Sequence, residues 1–193
     1  MSIFKKAIHD AVATIDALRP LEPMHERAAE VVGRCLVKGG KLLVCGNGGS
    51  AADAADFATE FTCRFVSDRR PYPALNLGAC GSLLTATGND YGFDEVFARQ
   101  VRAFGQKDDV LVVITTSGNS KNILSAIAAA NIGGLRTIAL LGRDGGRALG
   151  LAQIELIVPS TITARIQEAH KFLLHALCEI VEARWLLAKP EVR

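Results

Sequence analysis

The spacing of apolar residues changes along the chain. Ile3, Ala7, Ile8, Ala11, Ile15 and Leu18 recur at helical spacing and stop at Arg19-Pro20, which predicts a first helix. A second helix is predicted from about Glu22 to Val37, closed by Gly39-Gly40, a helix C-terminal signal. The pattern then turns into short continuous apolar runs. Lys41–Cys45, Asp109–Ile114 and Thr137–Leu141 read as strands, and Asp109–Ile114 is a continuous apolar run, as in a strand buried on both faces. Pro73–Leu77 and Ile154–Val158 are two further strand candidates. Helices are predicted after the first three runs: an Ala-rich one to about Phe61, one from Lys121 to Ala130, and a short one near Ala148. One long apolar helix is predicted from about Ala164 to Ala188. Phe172, Leu173, Leu174, Leu177, Ile180, Val181, Trp185 and Leu186 cover more than one of its sides, so it is expected to be buried all round, in part against another subunit.

Alternation of short apolar runs with helices argues for α/β architecture: a five-stranded parallel sheet inside a three-layer α/β/α sandwich. No linker or composition break divides residues 1–193, so one domain is expected, with a helical extension at 1–38 and a core at 39–193. Composition narrows the function. Hydrophobic residues make up 49% of the chain and aromatic residues only 6%, so the core is aliphatic. The formal net charge of +2 lacks the basic excess of a nucleic-acid wrapper, and no nucleic-acid partner is expected. No run of about 18 uncharged apolar residues predicts a membrane span, and the N-terminus does not read as a secretory signal. Cys35, Cys45, Cys63, Cys80 and Cys178 are odd in number and widely spaced. They are expected to be reduced, buried thiols of a cytoplasmic protein, not disulfides or a cysteine zinc site.

Ligands of open parallel sheets bind beyond the carboxyl ends of the strands. Three candidate features lie on segments that follow strands, and a fourth lies on the last helix. Thr115-Thr116-Ser117-Gly118-Asn119-Ser120 packs four hydroxyls into six residues before a helix. Hydroxyls with helix N-terminal amides hold a phosphate, whereas a helix cap needs only one hydroxyl. Gly46-Asn47-Gly48-Gly49-Ser50-Ala51 is similar to a dinucleotide fingerprint. The acidic residue that fingerprint requires is missing from a strand end, because Asp68 falls in a charged connector. These glycines are better suited to letting backbone approach a small substrate. Asp56 and Glu60 share a helix face, within a segment too apolar for an ordinary surface. Such a pair can bind a metal or divide acid and base work, or else form a solvated face. Gln167 and His175 lie about 80° apart around a helix and can share a broad face; His170 is turned away from His175.

These loops, with Gly88-Asn89-Asp90-Tyr91-Gly92, Gly145-Gly146 and Arg165-Ile166-Gln167-Glu168, resemble the sugar isomerase (SIS) domain family, and within it the bacterial phosphoheptose isomerases. The resemblance spans nearly the whole chain and implies a flavodoxin-like sheet and an aldose–ketose isomerase. Its substrate would be sedoheptulose 7-phosphate and its product D-glycero-D-manno-heptose 7-phosphate, a precursor of heptose nucleotides for lipopolysaccharide and related polymers. It also implies a homotetramer with sites at subunit interfaces.

Residue by residue, Asn47, Gly48, Gly49, Ser50, Asn89, Asp90 and Gln167 match substrate-contacting positions. Thr115, Thr116, Ser117 and Ser120 match the phosphate cradle, and Glu60 and His175 the acid/base pair. Zinc is implied on Asp56, Glu60, Gln167 and His175, with Asp56 where the family carries a histidine. A second carboxylate makes that set harder and more anionic, which favours oxygen-preferring metals. Two other readings share the motifs. One is a non-catalytic interaction protein resembling the relative that associates with the replication initiator DnaA. The other is another sugar-phosphate enzyme, such as 6-phospho-3-hexuloisomerase. The pairing of His175 with Glu60 favours the enzyme.

Overall fold

The computed structural model describes residues 1–187. Helices α1 (Ile3–Asp16) and α2 (Glu22–Val37) come first, separated by a 3-10 turn at Arg19–Leu21 around Pro20. Ser2 caps α1 by accepting a hydrogen bond from the Lys5 amide, and Gly39, at φ 85°, lets the chain leave α2. Next come β1 (Leu42–Gly46), α3 (Gly49–Thr62) and β2 (Ala74–Asn76). Helices α4 (Gly81–Tyr91) and α5 (Ala98–Phe104) follow, then β3 (Val110–Thr115), α6 (Lys121–Ile132), β4 (Arg136–Gly142), β5 (Ile154–Val158) and α7 (Thr163–Val181).

All five strands are parallel, in the order β2-β1-β3-β4-β5. This is the α/β sandwich that the sequence predicts. Side chains alternate across the sheet and build two cores. Leu42, Val44, Val110, Val112, Ile138 and Leu140 pack with α2, α3 and α7. Leu43, Cys45, Leu111, Val113, Ala139 and Leu141 pack with α5 and α6. Strand order reverses between β1 and β3, so the loops after these two strands flank the switch point where α/β sheets place ligands.

Three expectations need correction or refinement. Residues 81–104 form two helices, α4 and α5, that the apolar pattern did not announce. Helix α4 buries only Thr87 fully, so it has almost no apolar face to read. Within one chain the last helix buries Leu173, Leu174, Leu177 and Val181, leaves Phe172 exposed and lets Ile180 border the core. It ends at Val181 and passes into a π-helical turn over Glu182–Leu186; the predicted end at Ala188 lies outside the described residues. The cysteines are all free, but Cys63 and Cys80 are exposed because they cap the ends of α3 and α4. No helix among the described residues is long and apolar enough to cross a membrane.

Candidate functional site

The loop Gly46–Ser50 leaves β1 beside the switch point and turns into α3. Gly48, at φ 56°, makes that turn in a conformation open to glycine. Gly49 lies under α7, where a Cβ would stand 2.3 Å from Gln167 Nε2. Ser50 is buried. Asn47 reaches across the switch point and exchanges two amide hydrogen bonds of 2.9 Å with Asn122 on α6. The glycine loop is thereby tied to the hydroxyl loop.

In the hydroxyl loop, Thr115 Oγ1 accepts from the Gly118 amide at 3.2 Å, and Ser117 Oγ from the Asn119 amide at 3.2 Å. Ser120 is the N-cap residue of α6, yet its hydroxyl makes no capping bond. Capping therefore does not account for these hydroxyls. Gly118, at φ 65°, packs on the loop after β4, where a Cβ would stand 1.8 Å from the Gly145 carbonyl oxygen. Gly145-Gly146 thus backs the hydroxyl loop.

Helices α3 and α7 lie side by side and run in the same direction. Gly49 faces Gln167, and Lys171 faces Asp53 and Asp56. Farther along, Glu60 faces Cys178: burial pushes the Cys178 thiol up, and the Glu60 carboxylate pushes it the same way. His175, on the stripe between Lys171 and Cys178, is exposed with its ring 5.8 Å from that of Phe65. The backbone of Glu60 is fixed from behind. Arg69 Nη2 donates to the Glu60 carbonyl at 2.6 Å, and Arg69 Nε to Glu182 Oε2 at 3.0 Å, in a buried ion pair. Glu182 Oε1 also accepts from the amides of Val66 and Ser67. Burial opposes the Glu182 carboxylate, but these bonds outweigh it and hold its pKa below the ordinary range.

His170 is fully buried and turned towards the sheet, with Nε2 3.0 Å from the Leu141 carbonyl oxygen. It faces away from the seam that His175 borders. Asn89 and Asp90 sit on exposed α4, bonded to each other at 2.8 Å. Among the described residues no hydrogen bond joins them to the other loops, so one chain gathers only part of the matched positions. Four further contributors escaped the sequence reading: Asp53, Lys171, Asn122 and the Arg69–Glu182 pair. Lys171 had a legible signal, since it lies one turn from both Gln167 and His175.

Residues 8–142 match the SIS domain family. A phosphoheptose isomerase of Helicobacter pylori is 48% identical over 166 residues, covering 86% of each chain. The chain belongs to the phosphoheptose isomerase family. It is thus an isomerase, and its fold is matched by solved members. The phosphoheptose isomerase of Neisseria gonorrhoeae superposes with a TM-score of 0.88 at 43% identity, over 93% of this chain and 97% of that one. That of Francisella tularensis gives 0.86 at 42%, over 94% and 95%.

The zinc implied for this family can be tested against the donor set. Asp56 Oδ2 is taken by Lys171 Nζ at 2.6 Å, and that side chain is 64% exposed. Lys171 Nζ also binds Asp53 Oδ1 at 2.9 Å. Burial disfavours the Lys171 ammonium, but the two aspartates outweigh it and raise its pKa. Among the described residues no three His, Cys, Asp or Glu side chains form a cation-binding group. Asp56, Glu60, Gln167 and His175 therefore do not fit a metal in this arrangement.

Proposed function

We propose that this isomerase converts sedoheptulose 7-phosphate to D-glycero-D-manno-heptose 7-phosphate through an enediol, the first step towards heptose nucleotide precursors. The observation that carries the proposal is the Asn47–Asn122 pair. It joins a hydroxyl loop with an uncapped helix N-terminus to the loop that leads into the α3–α7 seam. A phosphate on the hydroxyl loop anchors the far end of the sugar and leaves C1 and C2 to reach the seam. The +2 net charge suits a phosphate site made of hydroxyls and amides.

Aldose–ketose exchange takes a proton from the carbon beside the carbonyl and returns it to the neighbouring carbon. In the proposed mechanism the Glu60 carboxylate takes the C1 proton of the ketose and delivers it to C2. His175 moves the proton between the two oxygens. The Gln167 amide and the loop amides hold the oxygen on which negative charge develops. The Arg69–Glu182 ion pair keeps Glu60 in register.

The working unit is proposed to be a homotetramer. Support comes from the apolar face that one chain leaves exposed, with Ile3, Phe4, Ile8 and Val12 on α1 and Phe172 on α7. In that unit Asn89 and Asp90 would come to the site of a neighbouring copy. The five free cysteines support a reducing, cytoplasmic setting.

The test is incubation of the pure protein with sedoheptulose 7-phosphate in deuterated buffer, followed by NMR. Appearance of the aldose, with deuterium at C2, is the expected result. No aldose from this ketose, with turnover of another sugar phosphate, would reassign the substrate.

A further inference from the structure

We propose that the Lys171 ammonium stands in the cation's place in this enzyme, so that the chain isomerises its sugar phosphate without a bound divalent metal. The inference deepens the isomerase reading above and rests on it. Gln167, Lys171 and His175 follow one another at one-turn intervals and share a stripe of α7. The facing stripe of α3 carries Asp53, Asp56 and Glu60. Lys171 thus lies among the four side chains that would have to converge on a metal. Its Nζ is 2.6 Å from Asp56 Oδ2 and 2.9 Å from Asp53 Oδ1.

These contacts do what a metal ion would otherwise do at this corner of the seam. A positive charge draws the α3 carboxylates and the α7 stripe together and neutralises part of their charge. The side chain is 30% exposed and Asp53 only 10%, so the pair with Asp53 is screened less than a surface ion pair. The identity of residue 56 fits the same account. A neutral imidazole there would bind a metal but would not pair with an ammonium, whereas a carboxylate pairs with it directly. A metal taking Asp56 would have to displace Lys171 and leave the ammonium to the 10%-exposed Asp53 alone. Lys171 is on this account a positioning residue: it holds Asp53 and Asp56 and leaves Gln167 and His175 unligated.

The experiment uses the full chain as purified. Metal content is measured by plasma mass spectrometry, zinc binding by calorimetry, and turnover before and after a strong chelator. The expected result is far less than one metal ion per chain, no zinc isotherm at micromolar protein, and turnover unchanged by the chelator. Lys171→Met should lower kcat at least about tenfold with little change in KM, and Lys171→Arg should restore part of the loss. The double variant Asp56→His with Lys171→Met should gain zinc binding near one ion per chain, a readout that does not depend on turnover. Stoichiometric zinc in the unaltered protein, lost to the chelator together with activity, would overturn the proposal. So would tight zinc binding by the unaltered chain in calorimetry. If sedoheptulose 7-phosphate is not turned over at all, the substrate assignment falls, while metal content and calorimetry still decide the question of the cation.

Discussion

Asn47 and Asn122 exchange two amide hydrogen bonds of 2.9 Å across the point where strand order reverses. Asn122 is almost completely buried at the start of α6, and Asn47 stands in the loop after β1. Neither loop has another side-chain tie to the other among the hydrogen bonds of the described residues. Asn122→Ala leaves Asn47 with two unpaired polar atoms in a half-buried setting, at a cost of about 1–3 kcal/mol. It also frees the glycine loop to drift from the hydroxyl loop. The expected outcome is a lower Tm together with a higher KM for the sugar phosphate. Thermal melts and steady-state kinetics check it, and an unchanged KM would show that the pair is structural only.

Ser120 occupies the N-cap position of α6 without making the bond that position usually makes. Removing a working cap costs roughly 0.5–2 kcal/mol. Here Ser120→Ala should leave stability nearly unchanged and weaken phosphate binding, with KM up at least about tenfold, the loss of one hydrogen bond to a charged group. Chemical denaturation and kinetics on the same preparation separate the two effects. A drop in stability without a change in KM would return the hydroxyl to a structural role.

The strands were legible because each is a short apolar run, and their parallel arrangement followed from the strand–loop–helix alternation. The site loops were legible by composition, since four hydroxyls in the Thr115–Ser120 segment exceed what a helix start needs. What the sequence withheld were relations between distant segments. Lys171 with Asp53 and Asp56, Arg69 with Glu182 and Asn47 with Asn122 are each pairs brought together by packing α3, α6 and α7 on one sheet. No periodicity carries that information. Helix α4 was missed for the opposite reason: Gly81-Ser82-Leu83-Leu84-Thr85-Ala86-Thr87-Gly88 has little to bury and two glycines that disfavour a helix. Asn89 and Asp90 were singled out by resemblance alone, and one chain leaves them at its surface.

His170 couples stability to pH. Its ring is buried and held neutral: burial lowers its pKa from 6.5, only partly offset by the Leu141 carbonyl that accepts from Nε2 and by the charge of Asp53. Among the described residues its Nδ1 has no hydrogen-bond partner. The unfolded chain takes up a proton near pH 6.5, and the folded chain does so only at lower pH. In between, the unfolded state binds more protons, so stability falls as pH drops below about 6.5, by up to about 1.4 kcal/mol per pH unit from this one group. Above that pH the contribution is fully present. His170→Gln keeps a donor for Leu141 and removes the titration. Denaturation midpoints between pH 5 and 7.5 should then vary less in the variant than in the unaltered protein. Equal slopes would show that other groups carry the acid sensitivity.

Glu60 carries the heaviest load in the proposed reaction, and its backbone is held independently of its carboxylate. Arg69 fixes the Glu60 carbonyl at 2.6 Å while Glu182 fixes Arg69. Glu60→Gln therefore keeps the shape and the local ties and removes only the ability to take a proton. Loss of a general base costs about 10²–10⁴ in rate, and here the same group must also return the proton, so turnover should fall to background. Binding of the sugar phosphate, which depends on the hydroxyl and glycine loops, should stay within a few-fold by calorimetry. Exchange of the substrate's C1 hydrogen with deuterated solvent should vanish with turnover, because no base remains to remove it. Near-normal turnover in this variant would take the proton-transfer role away from Glu60. Lost binding with an unchanged fold would make it a substrate-holding residue instead.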